Sequence, residues 1–256
     1  MFFNQTTFIG IDPTAGQRPF VFVALDSDLR LLAIGQGHMA EVLAFCAGQR
    51  QAVVAICAPR RPNQGLLRRE EVRRRLQPVP RPGRWEDFRL VEYLLRQHNI
   101  SAPQTRSQAQ NCPNWMQVGF RLYNRLEGLG YVMFPGDEST LQTVEVYPHG
   151  AYAALLGLNP FPKQTLEGRL QRQLVLHTHA VKITDPMLLF EEITRFKLLS
   201  GVLPVDEILH SAEELDALVA AYTAWYALRE PQAVCLLGDP DEGQVILPVA
   251  ELKPQY

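Results

Sequence analysis

Three acids stand where the surrounding sequence hands a carboxylate to a potential site: Asp12, Glu145 and Asp216. Asp12 closes the apolar run Thr7-Phe8-Ile9-Gly10-Ile11. Pro13 follows and cannot donate to a sheet ladder, so a strand should end on that carboxylate. Open α/β sheets collect ligands at the carboxyl ends of their strands. An aspartate in this position also serves simply to cap a turn, and the stretch alone does not decide between the two. Glu145 lies inside the β-prone run Gln142 to Pro148, and Asp216 lies one turn into a late helix. Carboxylates brought together repel, and burying them is costly unless a cation compensates. Hard oxygen ligands suit Mg²⁺ or Mn²⁺, and such ions activate water and stabilise the leaving oxygen in phosphodiester cleavage. Spacing along the chain does not by itself show that the three acids converge.

A second candidate feature is basic. The segment Arg60 to Arg96 holds 11 Arg against 5 acids, in a chain whose net charge is -2. Arg68, Arg69, Arg73, Arg74 and Arg75 would line one side of a helix and meet phosphates, with Trp85 stacking on a base. The alternative is a solvated face paired internally with Glu70, Glu71, Glu86 and Asp87. His177 and His179 point apart at i, i+2 on a helix, which favours a surface helix over a metal pair. His149 follows Pro148 and is a candidate for the rim of a site near Glu145.

The elements that must carry these groups are legible in order. Phe20 to Asp26 and Leu29 to Ile34 read as strands two and three, forming a meander with the first. His38 to Gly48 reads as an amphipathic helix and Ala52 to Ile56 as a fully apolar fourth strand, which implies a right-handed parallel crossover. The Arg- and Pro-rich stretch at about 60–84 should be an exposed, mobile insertion with a short helix near Leu66 to Leu76. A helical and loop region at about 86–130 follows, with helices over Glu86 to His98 and Trp115 to Leu126. Gln142 to Pro148 is the fifth strand. Helices are expected over Gly150 to Leu156, Thr165 to His179, Pro186 to Ser200 and Val205 to Leu209. Ser211-Ala212-Glu213-Glu214 matches a capping box and opens the best-marked helix, running to about Leu228. A terminal hairpin over Ala233 to Pro248 closes the chain.

The 256 residues, 46% of them hydrophobic, suffice for one sizeable core. One domain over 1–256 is expected. Cys46, Cys57, Cys112 and Cys235 are far apart and lack a C-x-x-C, which reads as reduced thiols in a cytoplasmic protein. No basic and apolar leader opens the sequence, and no apolar run approaches the roughly 20 residues of a membrane span. No membrane partner is expected, and oligomeric state is not legible.

The motifs Gly10-Ile11-Asp12, Ala55-Ile56-Cys57-Ala58-Pro59, Val144-Glu145-Val146-Tyr147-Pro148, the run Glu214 to Ala221 and Gly238-Asp239-Pro240-Asp241-Glu242-Gly243 span nearly the whole chain. In this order the sequence resembles the DUF429 family, uncharacterised proteins described as predicted nucleases of the RNase H-like fold. The resemblance implies an α/β fold with an RNase H-like mixed sheet: a three-strand meander, then parallel strands, flanking helices and here an Arg-rich insertion. It implies Asp12, Glu145 and Asp216 as catalytic and metal-binding acids for Mg²⁺ or Mn²⁺, and nucleic acid or a nucleotide as partner. Cys57 departs from the pattern, which usually has an Asp before the Ala-Pro. A soft thiolate is ill-suited to Mg²⁺. The departure puts two-metal catalysis in doubt, and Asp137, Glu138 and Glu213 are the acids at hand to substitute. The expectation is a metal-dependent nuclease-like phosphodiester hydrolase, weakened to the extent that the site needs the acid that Cys57 replaces. One alternative is a catalytically degraded nucleic-acid or nucleotide-binding protein on the same fold. Another is an actin or sugar-kinase-like phosphotransferase using Asp12-Pro13-Thr14-Ala15-Gly16 as a phosphate turn; that class usually repeats its core, and one core is evident here.

Overall fold

The structure is a computed structural model and describes residues 6–14, 18–81, 83–136 and 139–256. Continuous apolar runs produce β1 (Thr7–Asp12) and β2 (Phe20–Leu25), and an alternating run produces β3 (Leu31–Gly37), the three forming an antiparallel meander. Helix α1 (Met39–Ala47) crosses over to β4 (Ala52–Ile56), which pairs parallel to β1. The insertion then holds a short 3-10 turn at Leu66–Arg68 and helix α2 (Glu70–Arg74). Helices α3 (Leu90–Gln97) and α4 (Asn114–Gly128) follow. Two short segments, β5 (Val132–Met133) and β6 (Leu141–Val146), run parallel to one another. Then come α5 (Pro148–Leu156), α6 (Leu166–Thr178), α7 (Leu188–Glu192), α8 (Arg195–Ser200), α9 (Val205–Ile208) and α10 (Ala212–Arg229). The hairpin β7 (Cys235–Asp239) and β8 (Gly243–Leu247) completes the described elements.

The strands form one mixed sheet in the order β3-β2-β1-β4-β6-β8-β7, with β5 beside the start of β6. Strands β1, β4, β6 and β8 are parallel; β2, β3 and β7 run against their neighbours. Helices cover both faces. One core joins Phe8, Val53, Val144 and Val146 to α10 through Leu215, Leu218 and Val219. The other joins Ile9, Ile11, Val54 and Ile56 to α1 and α4 through Val42, Cys46, Val118 and Leu122. Residues two apart on a strand share a face, which explains why β1 and β4 read as continuous apolar runs.

Two expectations are corrected here. The insertion is not wholly exposed: Leu66 and Leu67 are buried against Leu90 and Tyr93, with Trp85 and Phe88 packed around them. The single helix expected over Pro186 to Ser200 is broken in two, because Thr194 leaves helical geometry and its hydroxyl accepts the Lys197 N–H at 3.2 Å, capping a new helix. The capping box of α10 is present as read: Ser211 accepts from Glu214 N–H, and Glu214 accepts from Ser211 N–H at 2.8 Å.

Candidate functional site

Strand β1 turns Phe8, Gly10 and Asp12 toward one face, and α10 packs there with Asp216 one turn from its start. Both carboxyls are buried, and both line the same cavity. Pro13 ends the strand, and Thr14 adopts the left-handed region at φ 52 with its N–H donating to Asp12 Oδ1 at 2.7 Å. Lys163, on the loop between α5 and α6, donates to Asp216 Oδ2 at 2.6 Å. Glu213 also lines the cavity and accepts from Gln164 Nε2 at 3.2 Å. Asp137 and Glu138, like Ala15 and Gly16 of the first turn, lie outside the described residues.

Burial raises the Asp12 carboxyl to about 7, helped by the negative charge of Asp216 and opposed by Lys163 and the Thr14 N–H. Burial also raises Asp216, against the pull of Lys163 and Arg172. Lys163 hydrogen-bonds to Asp216 alone, and its ammonium with the more distant Arg172 leaves the burial of the two acids incompletely offset. Cys57 is near both acids, its thiol donating to the main-chain oxygen of Asp216 at 3.5 Å. Burial, then the charges of Asp12 and Asp216, push that thiol well above the ordinary range, so it is a neutral small group and no thiolate ligand.

Glu145 is placed differently. In the parallel register Ile11 pairs with Ile56 and Ile56 with Glu145, so Glu145 shares the face of the isoleucines and is turned away from Asp12. Its partner is Arg89, 1% exposed, whose Nη1 donates to Oε1 at 2.7 Å and Nη2 to Oε2 at 2.9 Å. The Arg60 N–H adds a bond to Oε2 at 2.9 Å. A Cβ at Gly243, where φ is +120, would meet Arg89 Nη2 at 2.2 Å, so the hairpin can approach the ion pair only as glycine. All three expected acids line one cavity, but Asp12 and Asp216 lie on the side of the sheet that α10 covers, whereas Glu145 lies on the other side and is held by a guanidinium. Among the described residues no group of three or more His, Cys, Asp and Glu side chains is arranged to hold a metal ion.

The cavity encloses about 760 Å³ at the carboxyl ends of β1, β4 and β6. Its apolar wall includes Leu95, Trp115, Met116, Tyr147 and Phe161, and its polar groups include Arg18, Glu92, His149, Lys163 and Arg172. That volume falls within the roughly 300–1,000 Å³ usual for small-molecule sites. Burial raises Glu92 to about 7 despite Arg89 and the hydrogen bonds from Thr105 and the Arg89 N–H. None of Arg68, Arg69, Arg73, Arg74 and Arg75 lines the cavity. Arg68 pairs with Asp87 at 2.8 Å and Arg74 with Glu70 at 2.5 Å, and Arg73 donates to the carbonyls of Leu67 and Arg68. Trp85 stacks edge-on to Phe88 and Tyr93. His177 faces the Ile183 carbonyl while His179 faces the Tyr222 hydroxyl, so the two do not form a pair.

Lys163, Arg89 and Arg172 are the site residues that sequence reasoning missed. Arg89 was masked by the arginine-rich segment around it. Lys163 and Arg172 stand alone in unremarkable stretches, and no spacing marks them.

A family model described as a protein of unknown function, DUF429, matches residues 10–242. The chain belongs to the DUF429 family. No curated protein and no solved structure matches it. In this DUF429 protein the donor set fits a hard divalent cation only in a restricted way. Asp12 and Asp216 supply two carboxylates with surplus negative charge, which suits an ion that keeps water or substrate oxygens in the rest of its shell. It does not fit a centre built on three carboxylates, because both oxygens of Glu145 are engaged by Arg89.

Proposed function

We propose that this DUF429 protein is an RNase H-like phosphoester hydrolase that uses Mg²⁺ or Mn²⁺ held between Asp12 and Asp216. The observation that carries the reading is the convergence of two buried, undercompensated carboxylates on the wall of one cavity. The strand order, a meander followed by parallel β4 and β6, supports the RNase H-like assignment, as does α10 lying across β1. The bound ion would supply a water of lowered pKa and charge neutralisation at the phosphoryl oxygens. Asp12 and Asp216 bind the cation in their ionised forms. Thr14 orients Asp12 through its N–H, and Lys163 stabilises negative charge beside Asp216. The apolar part of the wall lowers the local polarity around a bound phosphate, which strengthens each of these interactions. The four unpaired cysteines support a cytoplasmic setting. Among the described residues no helix is long and apolar enough to cross a membrane.

Calorimetric titration of Mn²⁺ into the wild type, Asp12→Asn and Asp216→Asn tests the reading. Saturable binding in the wild type, abolished in both variants, is expected. Equal binding in all three proteins would place the ion elsewhere and end the proposal.

Cys57 favours a second reading, binding without turnover, because a neutral thiol stands where the family pattern has an acid. On that reading Cys57→Asp raises Mn²⁺ affinity or confers hydrolysis. If neither changes, the thiol is not what limits the site.

A further inference from the structure

Arg172, on α6, is 2% exposed and lines the cavity. Its Nη1 donates to the main-chain oxygens of Phe161 at 2.7 Å and Gly168 at 3.0 Å. Its guanidinium lies 5.2 Å from the centroid of the Tyr152 ring. Its Nε makes no hydrogen bond, as is true of Arg60, Arg89 and Arg96; what sets Arg172 apart from Arg89 is that among the described residues no carboxylate comes within ion-pair distance of its guanidinium. Arg89, equally buried, shows how this protein ordinarily treats such a group: it gives it a bidentate carboxylate. Asp216 acts on Arg172 only at longer range, and a buried charge whose close partners are two carbonyls and a ring face is incompletely neutralised. The desolvation is strong enough to lower the guanidinium from its usual range.

The surroundings are built to hold this arginine in place. A Cβ on Gly168 would stand 1.9 Å from the Pro162 carbonyl and 3.1 Å from Arg172 Nη1. Only glycine there lets the loop 160–163 sit on α6, and that loop carries Phe161 to Arg172 and Lys163 to Asp216. His149 also lines the cavity, and burial together with the charge of Arg172 keeps its imidazole neutral. A neutral imidazole can still donate one N–H.

We propose that Arg172 is the anchor for an anionic group of the ligand, a phosphate or carboxylate distinct from the group held at Asp12 and Asp216. Guanidinium forks bind such oxyanions with charge-assisted hydrogen bonds. As to substrate class, the inference rests on the phosphoester reading above: the substrate is then a small organic phosphoester bearing a second anionic group, with both groups inside one cavity. The volume of about 760 Å³ is in the range usual for a small molecule such as a free nucleotide.

The probes are inorganic phosphate and succinate, titrated calorimetrically into the full chain in EDTA, so that no cation is involved. The wild type should bind at least one of them saturably, and the arm that binds names the anion. Arg172→Met, which keeps most of the buried volume, should weaken that binding roughly 10- to 100-fold. Arg172→Lys, which keeps the charge without the fork, should fall between the two and serves as the informative variant if the methionine protein does not fold. Mn²⁺ affinity of Arg172→Met, measured separately, should not fall, because the positive charge of Arg172 acts on Asp216 and opposes a cation there. Failure of Mn²⁺ binding in every protein would defeat the hydrolase reading and leave the anion anchor standing. Wild-type protein that binds neither probe, or variants that bind with wild-type affinity, would overturn the anchor itself.

Discussion

Gly10 and Ala217 meet backbone to backbone: a Cβ built on Gly10 would lie 1.8 Å from the Ala217 main-chain oxygen and 2.7 Å from Ala221 N. Strand β1 and helix α10 are therefore closer than two side-chain-bearing elements can pack. The consequence is functional as well as structural. Asp12 is two residues beyond Gly10, and Asp216 immediately precedes Ala217, so this contact sets the separation of the two carboxylates.

Gly10→Ala should push α10 off the sheet. The clash is with rigid backbone, so the cost should reach or exceed about 3 kcal/mol, the upper end of ordinary overpacking. Urea unfolding gives that number, and Mn²⁺ titration at a temperature where the variant is folded should show weakened binding. A variant as stable as the wild type would mean that the two elements can separate at little cost.

The Arg89–Glu145 pair should behave as a buried ion pair and not as part of a metal centre. Removing one partner, by Arg89→Met or Glu145→Gln, leaves an uncompensated buried group and should cost about 3–5 kcal/mol. The double substitution should be less destabilised than the sum of the singles. Glu145→Gln should also retain the Mn²⁺ affinity of the wild type in the folded protein. Loss of that affinity in Glu145→Gln, with the fold intact, would restore the third acid to the cation site.

That distinction was beyond the sequence for a physical reason. Strand existence is legible from apolar runs, and β1, β2, β4 and β6 were found within a residue or two. Which face a strand residue takes depends on register with its neighbours, and a shift of one residue reverses it. Glu145 pairs with Ile56, not with Cys57, and so points away from Asp12. Asp12 and Asp216 were legible because each is marked by local chemistry, a terminating proline and a capping box. Arg89 was not, because nothing local separates it from the other arginines in its segment. The strand β5 has only two residues and carries no periodic signal.

The Arg-rich segment offers a separate test of a nucleic-acid partner. Arg69 and Arg75 are exposed, whereas Arg68, Arg73 and Arg74 already have internal partners. If single-stranded nucleic acid docks there through Arg69 and Arg75, Arg69→Gln with Arg75→Gln should reduce the slope of log affinity against log salt by about 1.4. Phosphate binding in the cavity should be unchanged. Absence of salt-dependent nucleic-acid binding in the wild type would assign the segment a structural role, closing the small core around Leu66 and Leu67.

The pH dependence of stability should report the carboxylate pair directly. Burial and the charge of Asp216 hold the Asp12 carboxyl at about 7, against 3.8 for an ordinary aspartate. Between those values the folded protein retains a proton that the unfolded chain has released. The stabilisation from this group is complete below about 3.8 and is lost as pH rises through about 7. Asp12→Asn stays neutral throughout and can still accept the Thr14 N–H, so it should lose this slope and exceed the wild type in stability at pH 8. A bound cation should act in the opposite sense on the wild type, replacing the proton: saturating Mn²⁺ should raise its melting temperature most at pH 8, and Mn²⁺ affinity should fall as pH drops below 7. Thermal unfolding at pH 5 and pH 8, in EDTA and in Mn²⁺, measures all of this in one set. Parallel profiles for the wild type and Asp12→Asn would show that Asp12 carries no uncompensated charge and would remove the electrostatic argument for a cation there.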